Sequence, residues 1–411
     1  MDKRVRVTFT GMAHGGEALA RHAGKVLFVP FAAPGETALI EVVEEARAWA
    51  RGRLVEIIQP APERIAAPCP YFGRCGGCQW QHLAYPAQLR FKRDIVADQL
   101  ARLGRLSGVP VRPCLGMADP WRYRNQAQLY PAPAGGLGIK AGPHAAAVAI
   151  DDCPLFHPVI DDLFLALDLE LDGLERLGLR GGTRSGEAML ILEMAGDLAP
   201  GLEVDLPISV VLSRRDGDVQ VLIGDDWLTD DFAGRRLRLS APTPYPVNVE
   251  MAEAILPALR EWLQPGPDDV LLDVGAGVGA LGLALCDAGA GLLALEEHPW
   301  AAADFLHNAG AAPRVGLLEA PLEEGLAEVE EAVDVVLIQA PRAGLGADAA
   351  THLRRLEPRR LAYLAEDPAI LARDAAPLQE AGFRLEAVQP VDFLPQTYHI
   401  GVIGLWSGRA G

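Results

Sequence analysis

The chain has 411 residues, 50% of them hydrophobic, and carries a net charge of −18. That length exceeds one typical core and implies two or three domains. No run of eighteen uninterrupted apolar residues occurs, and the opening MDKRVRVTFT alternates charged with apolar residues; this argues against a membrane span and for a soluble, cytoplasmic protein, with a monomer favoured.

The acidic sum argues at first sight against a polyanionic partner, because phosphate binding draws on Lys and Arg. Its distribution is uneven. Residues 244–411 hold ten Arg, no Lys and twenty-five acidic side chains, a net −15, whereas residues 82–115 hold six basic against two acidic, a net +4. A nucleic-acid surface is therefore expected on the N-terminal half and on the stretch Arg90, Lys92, Arg93, Arg102 and Arg105. Taken alone, that stretch reads equally well as a solvated helix face.

In chain order, residues 3–59 alternate with period two in RVRVTFTGM, GKVLFVPF, ETALIEVVEE and RGRLVEIIQP, separated by Gly- and Pro-bearing turns. A small all-β barrel fits this spacing, whether it holds oligonucleotides or only docks on its neighbour. The Pro-rich link QPAPERIAAPCP leads into a cysteine cluster, and a helix is expected from about Pro86 to Leu103. From there to about Thr243 the chain is mixed and strand-rich. After Thr243 the pattern becomes strand, Gly-rich turn, helix, strand, helix, the signature of a parallel sheet wrapped by helices.

Six cysteines are too few for a secreted disulfide scaffold of this length, and three lie within ten residues. Cys69, Cys75 and Cys78, joined by the distant Cys153 before Pro154, supply four thiolates, enough for a tetrahedral zinc or an iron–sulfur cluster. Three clustered ligands plus a distant Cys-Pro favour a [4Fe-4S] cluster. Cys114 and Cys286 are left over, and Cys286 in LGLALC is most simply a core residue.

In VLLDVGAGVGALGLALCDAG an apolar strand ends at Asp273, and Gly275, Gly277 and Gly279 turn the chain into a helix. Glycines let a backbone pass close to a ligand, and Glu296 at the end of the next apolar strand can accept bonds from ribose hydroxyls. S-adenosylmethionine suits this arrangement at least as well as a dinucleotide; the alternative is a turn that only lets helix and strand pack.

With these pieces in order, the chain resembles the RNA (uracil-5-)-methyltransferase family over nearly its full length. The residues carrying the likeness are AHGGEALARHAGKVLFVPFAAPGE, CPYFGRCGGCQWQHLAYPAQLRFKR, WRYRNQAQ, IDDCP, PYPVN, DVGAGVG, APRAGL, DPAILARD and FLPQTYHI. The resemblance implies an α/β plus β fold class. Residues 1–61 would form an OB-like TRAM β-barrel that binds RNA, and residues 62–81 with 116–243 an α+β central domain carrying the cluster. Residues 82–115 with 244–411 would form a class I, Rossmann-like methyltransferase domain.

The family's chemistry needs a cysteine thiolate to add to carbon 6 of uracil and a carboxylate to remove the proton from carbon 5. The nucleophile's motif, like Ser-Cys-Asn/Asp-Pro, is matched here by Ala365-Glu366-Asp367-Pro368, so Glu366 stands in its place. The base's motif, Gln-Thr-x-His-x-Glu, is matched by Gln396-Thr397-Tyr398-His399-Ile400 and then Gly401. On the cofactor side Pro246, Ala280 and Gln339 replace the family's Gln, Asn and Asp, which leaves Asp273, the three glycines and Glu296 as candidate contacts. Arg342 and His399 remain as possible catalytic remnants, each with a structural reading beside it. Cys114 and Cys286 lie remote in sequence from the motif and are not expected to substitute. Loss of a general base alone costs about 10²- to 10⁴-fold in rate.

The expectation is therefore an RNA-binding protein, acting on rRNA or tRNA structure, that no longer methylates uracil. Two alternatives are an active S-adenosylmethionine-dependent transferase with another acceptor and an iron–sulfur redox sensor.

Overall fold

Alternating burial along Arg4–Met12 (β1), with Val5, Val7 and Phe9 inside and Arg4, Arg6 and Thr8 outside, is the pattern of a strand covered on one face. The computed structural model describes residues 4–168, 172–196, 205–214 and 217–408. Strands Ala18–His22 (β2), Lys25–Val29 (β3), Thr37–Glu45 (β4) and Trp49–Gln59 (β5) close with β1 into a barrel in the order β1-β2-β3-β5-β4. Strand β2 is not among the expected strands, because its buried residues, Ala18 and Ala20, give too little apolar contrast to read.

Helix α1, Tyr85–Arg102, starts on Pro86 near the expected position and buries Ala87, Gln88, Lys92, Ile95, Val96 and Leu100. This corrects the expected basic surface. Lys92 lies on the inner face and donates to Asp392 at 2.6 Å, while Arg90, Arg93 and Arg102 pair with Glu63, Asp94 and Asp98. The stretch is mostly neutralised by its neighbours; a one-dimensional charge count could not see the partners.

The middle of the chain contributes β6 (Gln126–Pro131), β7 (Leu137–Lys140), β8 (Ala147–Ala149), α2 (Pro158–Leu165), β9 (Leu174–Gly181), β10 (Ala188–Met194), β11 (Ser209–Ser213) and β12 (Val219–Ile223). These strands form one sheet in the order β12-β11-β10-β9-β6-β7-β8, and a hairpin of β13 (Trp227–Phe232) and β14 (Arg235–Ser240) follows.

The C-terminal part runs α3 (Val249–Ala254), α4 (Leu256–Leu263), β15 (Val270–Val274), α5 (Ala280–Leu285), β16 (Gly291–Glu296), α6 (Pro299–Ala309), β17 (Val315–Glu319) and α7 (Leu322–Glu328). It continues with β18 (Val335–Gln339), α8 (Gly346–Leu356), β19 (Arg360–Ala365), α9 (Pro368–Glu380), β20 (Arg384–Val391) and β21 (Gly401–Ser407). The sheet order is β17-β16-β15-β18-β19-β21-β20, parallel except for β21, which is antiparallel to both neighbours. Helices cover both faces, so Leu271, Leu272 and Val274 of β15 are all buried without alternation. Strand order reverses between β15 and β18, which is where an open α/β sheet offers a ligand crevice. The α/β plus β class expected from the sequence is the one the chain adopts. Among the described residues no helix is long and apolar enough to cross a membrane.

Candidate functional site

At the reversal point, Asp273 ends β15 fully buried, with Oδ1 accepting from Gln339 Nε2 at 3.1 Å and Oδ2 without a partner. Burial pushes its carboxyl up to about 7, and the nearby Glu296 adds to the shift. Gln339, at the end of β18, thus supplies a neutral donor that engages Asp273 where the family's second carboxylate would repel it. The three glycines of the turn all have left-handed backbones, with φ of 75°, 56° and 86° at Gly275, Gly277 and Gly279. Their roles differ. A Cβ at Gly275 would meet Gln339 O at 2.7 Å and one at Gly279 would meet the Phe305 ring at 2.8 Å, whereas one at Gly277 would face open space. Gly275 and Gly279 are packing glycines; Gly277 is the one that leaves room for a close ligand.

Glu296, at the end of β16, accepts from Gly277 N at 2.7 Å and from His298 N at 2.8 Å, which fixes its carboxylate against the turn. Ala280 begins α5 and is buried, so no polar side chain leaves the turn there. Pro246 lends only its carbonyl, which accepts from Asn125 Nδ2 at 2.9 Å.

Position 366 follows β19. Glu366 is 77% exposed and lies 3.7 Å from Arg342, itself 92% exposed, so this is a solvated ion pair rather than a desolvated nucleophile. The next residue, Asp367, turns inward. It caps α9 by accepting from Ala369 N at 2.7 Å, and it meets His14 Nε2 of the barrel's β1–β2 loop at 3.1 Å. The hydrogen bond to Asp367 raises the His14 pKa above its ordinary value.

The base position lies on the neighbouring strand, where Val402 of β21 pairs with Ala365 of β19. Gly401 opens β21 opposite Val391 of β20, and any Cβ built on it would collide with the Phe393 ring. His399 is exposed and stacks on Tyr398 with 4.5 Å between ring centroids. The preceding residues form a hub. Gln396 O accepts from Gln79 N and Trp80 N, the Gln396 side chain bonds Gln88 of α1, and Tyr123 OH donates to Pro395 O. Tyr398 packs against Gly16 of the barrel, whose carbonyl accepts from Trp80 Nε1 at 3.1 Å. Sequence reasoning treated FLPQTYHI only as a catalytic motif; it also ties the barrel, the cysteine loop and α1 to the C-terminal sheet.

Cys114, remote in sequence, is brought beside this site. Leu115 pairs with Val391, and burial pushes the Cys114 thiol up to about 12, with Asp392 adding to the shift. Cys286 is likewise pushed up to about 12 by burial.

The other constellation is the cysteine pocket. Cys69, Cys75, Cys78 and Cys153 line one cavity together with Tyr71, Phe72, Ile139, Ile150 and Leu155. The sequence reading expected little apolar surface around them because of Gly76 and Gly77; the corrected picture is an apolar wall supplied from elsewhere in the chain. Gly76 is required because a Cβ there would collide with Lys140 O of β7. Tyr71 OH donates to Asp151 Oδ2 at 2.9 Å and accepts from Asp151 N, which staples the first cysteine loop to the one bearing Cys153. Burial pushes the thiols of Cys78 and Cys153 up to about 11 and 12. Among the described residues no group of three or more His, Cys, Asp or Glu side chains converges to hold a metal ion.

Comparison with known proteins gives the chain's relatives. Residues 3–55 match the model of the TRAM domain. The chain is 31% identical to an RNA methyltransferase of Thermosynechococcus vestitus, over 98% of this chain and 97% of that one. It is 33% identical to one of Streptomyces avermitilis, over 98% of each. The 23S rRNA (uracil(1939)-C(5))-methyltransferase RlmD of Shewanella amazonensis is 29% identical over 97% of this chain and 94% of its own. Among solved structures, the Pyrococcus abyssi tRNA (uracil-54, C5)-methyltransferase, determined with S-adenosyl-L-homocysteine, superposes with a TM-score of 0.78. At 21% identity, covering 98% of this chain and 100% of that one, it shows a shared fold.

Proposed function

The chain belongs to the RNA (uracil-5-)-methyltransferase family, and from that premise we propose that it is a non-methylating member that binds structured RNA, ribosomal or transfer. The observation that carries this reading is the Phe393 ring in the space a side chain at position 401 would need. The base is not merely absent; its volume is filled. Glu366 points to solvent, and a carboxylate adds to an activated alkene far less readily than a thiolate. Cys114 and Cys286, half-buried with thiols pushed up to about 12, offer no ready replacement thiolate.

Gly277 and Glu296 suit S-adenosylmethionine, which when bound would supply a transferable methyl group. Gln339 and Pro246 do not suit it, so weak cofactor binding is expected. The four cysteines, which line one cavity, fit a [4Fe-4S] cluster by the chemistry of their donor set. For RNA, the barrel carries an open concavity of about 430 Å³ lined by Phe31, Arg51 and Arg53 among others. An aromatic ring and guanidinium groups on a barrel suit single-stranded segments. Arg51 and Arg53 pair with Glu17, Glu44 and Glu41 much as the α1 arginines pair with their neighbours, so both surfaces stay candidate contacts. The domain division at 61, 82–115 and 243 goes with this reading, since Pro110, Arg112 and Leu115 bond to Val388 and Pro390 of β20 and to Asp392.

Calorimetric titration with S-adenosylmethionine, then with a structured RNA at low salt, tests the proposal. Negligible cofactor binding with salt-sensitive RNA binding is expected. Tight cofactor binding and methyl transfer to any RNA would replace it with an active transferase of altered acceptor; failure to bind RNA would remove its central claim.

A further inference from the structure

Arg124 has no part in the reading so far, yet it is a cation in the wall of the cysteine pocket. It lines the cavity that the four cysteines share, its Nη2 reaches toward Gly77 O at 3.5 Å, and its Nε is buried with no hydrogen-bond partner. Its backbone runs beside the second cysteine loop, with Arg124 N donating to Leu155 O and His157 N donating to Arg124 O, both at 2.8 Å. The side chain therefore has little freedom to leave. Electrostatically it acts on Cys75, Cys78 and Cys153, three of the four thiols.

A guanidinium is charged at every accessible pH, so burying it beside neutral thiols alone leaves a charge without an anion. Four thiolates around a [4Fe-4S] core of charge 2+ carry a net 2−, and one-electron reduction makes it 3−. We propose that Arg124 is the positioning residue that balances this charge, holding the cluster in the pocket and setting its reduction potential. The inference rests on the reading of Cys69, Cys75, Cys78 and Cys153 as cluster ligands. In a low-dielectric pocket a fixed positive charge stabilises the reduced form more than the oxidised one, so its removal makes reduction harder.

The test uses the full chain purified or reconstituted without oxygen, with iron and sulfide content measured, and with visible absorption followed during titration by dithionite as the reductant. Wild type without iron and sulfide would sink the cluster reading itself, independently of Arg124. With the cluster present, Arg124→Gln is expected either to lose it or to keep it at a more negative potential. Each tenfold change in the reduction equilibrium would appear as about 59 mV for this one-electron couple. Arg124→Lys, which keeps the charge, is expected to retain the cluster with a potential nearer to wild type. A fully loaded Arg124→Gln with unchanged potential would overturn the proposal. So would equal loss of cluster from both variants, which would make Arg124 a strut for Gly77 rather than a counter-charge.

Discussion

The cysteine pocket and the cofactor crevice face opposite situations. In the pocket, four thiols from two stapled loops line one cavity with Arg124, whose buried Nε has no partner among the described residues. In the crevice, most of the groups left from the family pattern contact one another: Gln339 donates to Asp273 Oδ1, Glu296 accepts from Gly277 N and His298 N, and the Phe393 ring lies against Gly401. A site kept for a ligand leaves polar groups unsatisfied in the ligand's absence, because their partners are on the ligand. A site that has stopped binding can close its own hydrogen bonds. By this criterion the pocket is the more open of the two, although Asp273 Oδ2 leaves the crevice one buried acceptor without a partner among the described residues.

Four measurements would break or sharpen that contrast. The largest effect is expected in the pocket: Cys78→Ser or Cys153→Ser should abolish stoichiometric iron and sulfide, whereas Cys114→Ser should leave both unchanged. Equal content in all three variants would remove the pocket's special status. Next is the buried pair at the rim of the crevice. Lys92→Met should destabilise by about 3–5 kcal/mol in denaturant unfolding, because it strands Asp392 unpaired and fully buried. The double change Lys92→Met with Asp392→Leu should recover much of that loss, and if it does not, packing rather than charge accounts for it.

The closed crevice predicts that Gly401→Glu destabilises by about 1–3 kcal/mol through overpacking on Phe393. Adding Phe393→Ala should relieve that strain. Even Glu366→Cys, Gly401→Glu and Phe393→Ala together should not restore uridine methylation, since Pro246 and Gln339 still alter the pocket; robust methylation by this variant would show the crevice to be intact.

The smallest effect concerns the barrel contact. His14 has its pKa raised by Asp367, so the pair's contribution is fully present below the ordinary histidine value of 6.5 and fades as pH rises through the elevated folded value. Asp367 has its pKa held below 3.8 despite burial, through its bonds to His14 and Ala369 N. Its own contribution is present above 3.8 and is lost as pH falls through the lower folded value. Both side chains are more than a third exposed, so solvent screening keeps the pair under about 1 kcal/mol. His14→Ala should flatten the alkaline side of the stability profile by that amount. An unchanged profile would show that the Gly16–Tyr398 packing alone seats the barrel.

Much of this molecule was legible as sequence because its signals are local. Period-two alternation in β1, Pro86 at the start of α1, the glycine turn after Asp273 and the cysteine spacing each depend on neighbours along the chain. Such neighbours impose backbone geometry directly. The residues at the motif positions, Glu366 and Gly401, were also legible, since a residue type can be read without coordinates. The tertiary structure decided what distance in space controls. It buried Lys92 against Asp392, 300 residues away, and so took one cation out of the expected basic face. It brought Cys114 beside β20, placed Phe393 in the base's volume, and set Arg124 next to thiols from two distant loops. Charge compensation and steric exclusion act between atoms in contact, and only the folded chain determines which atoms those are.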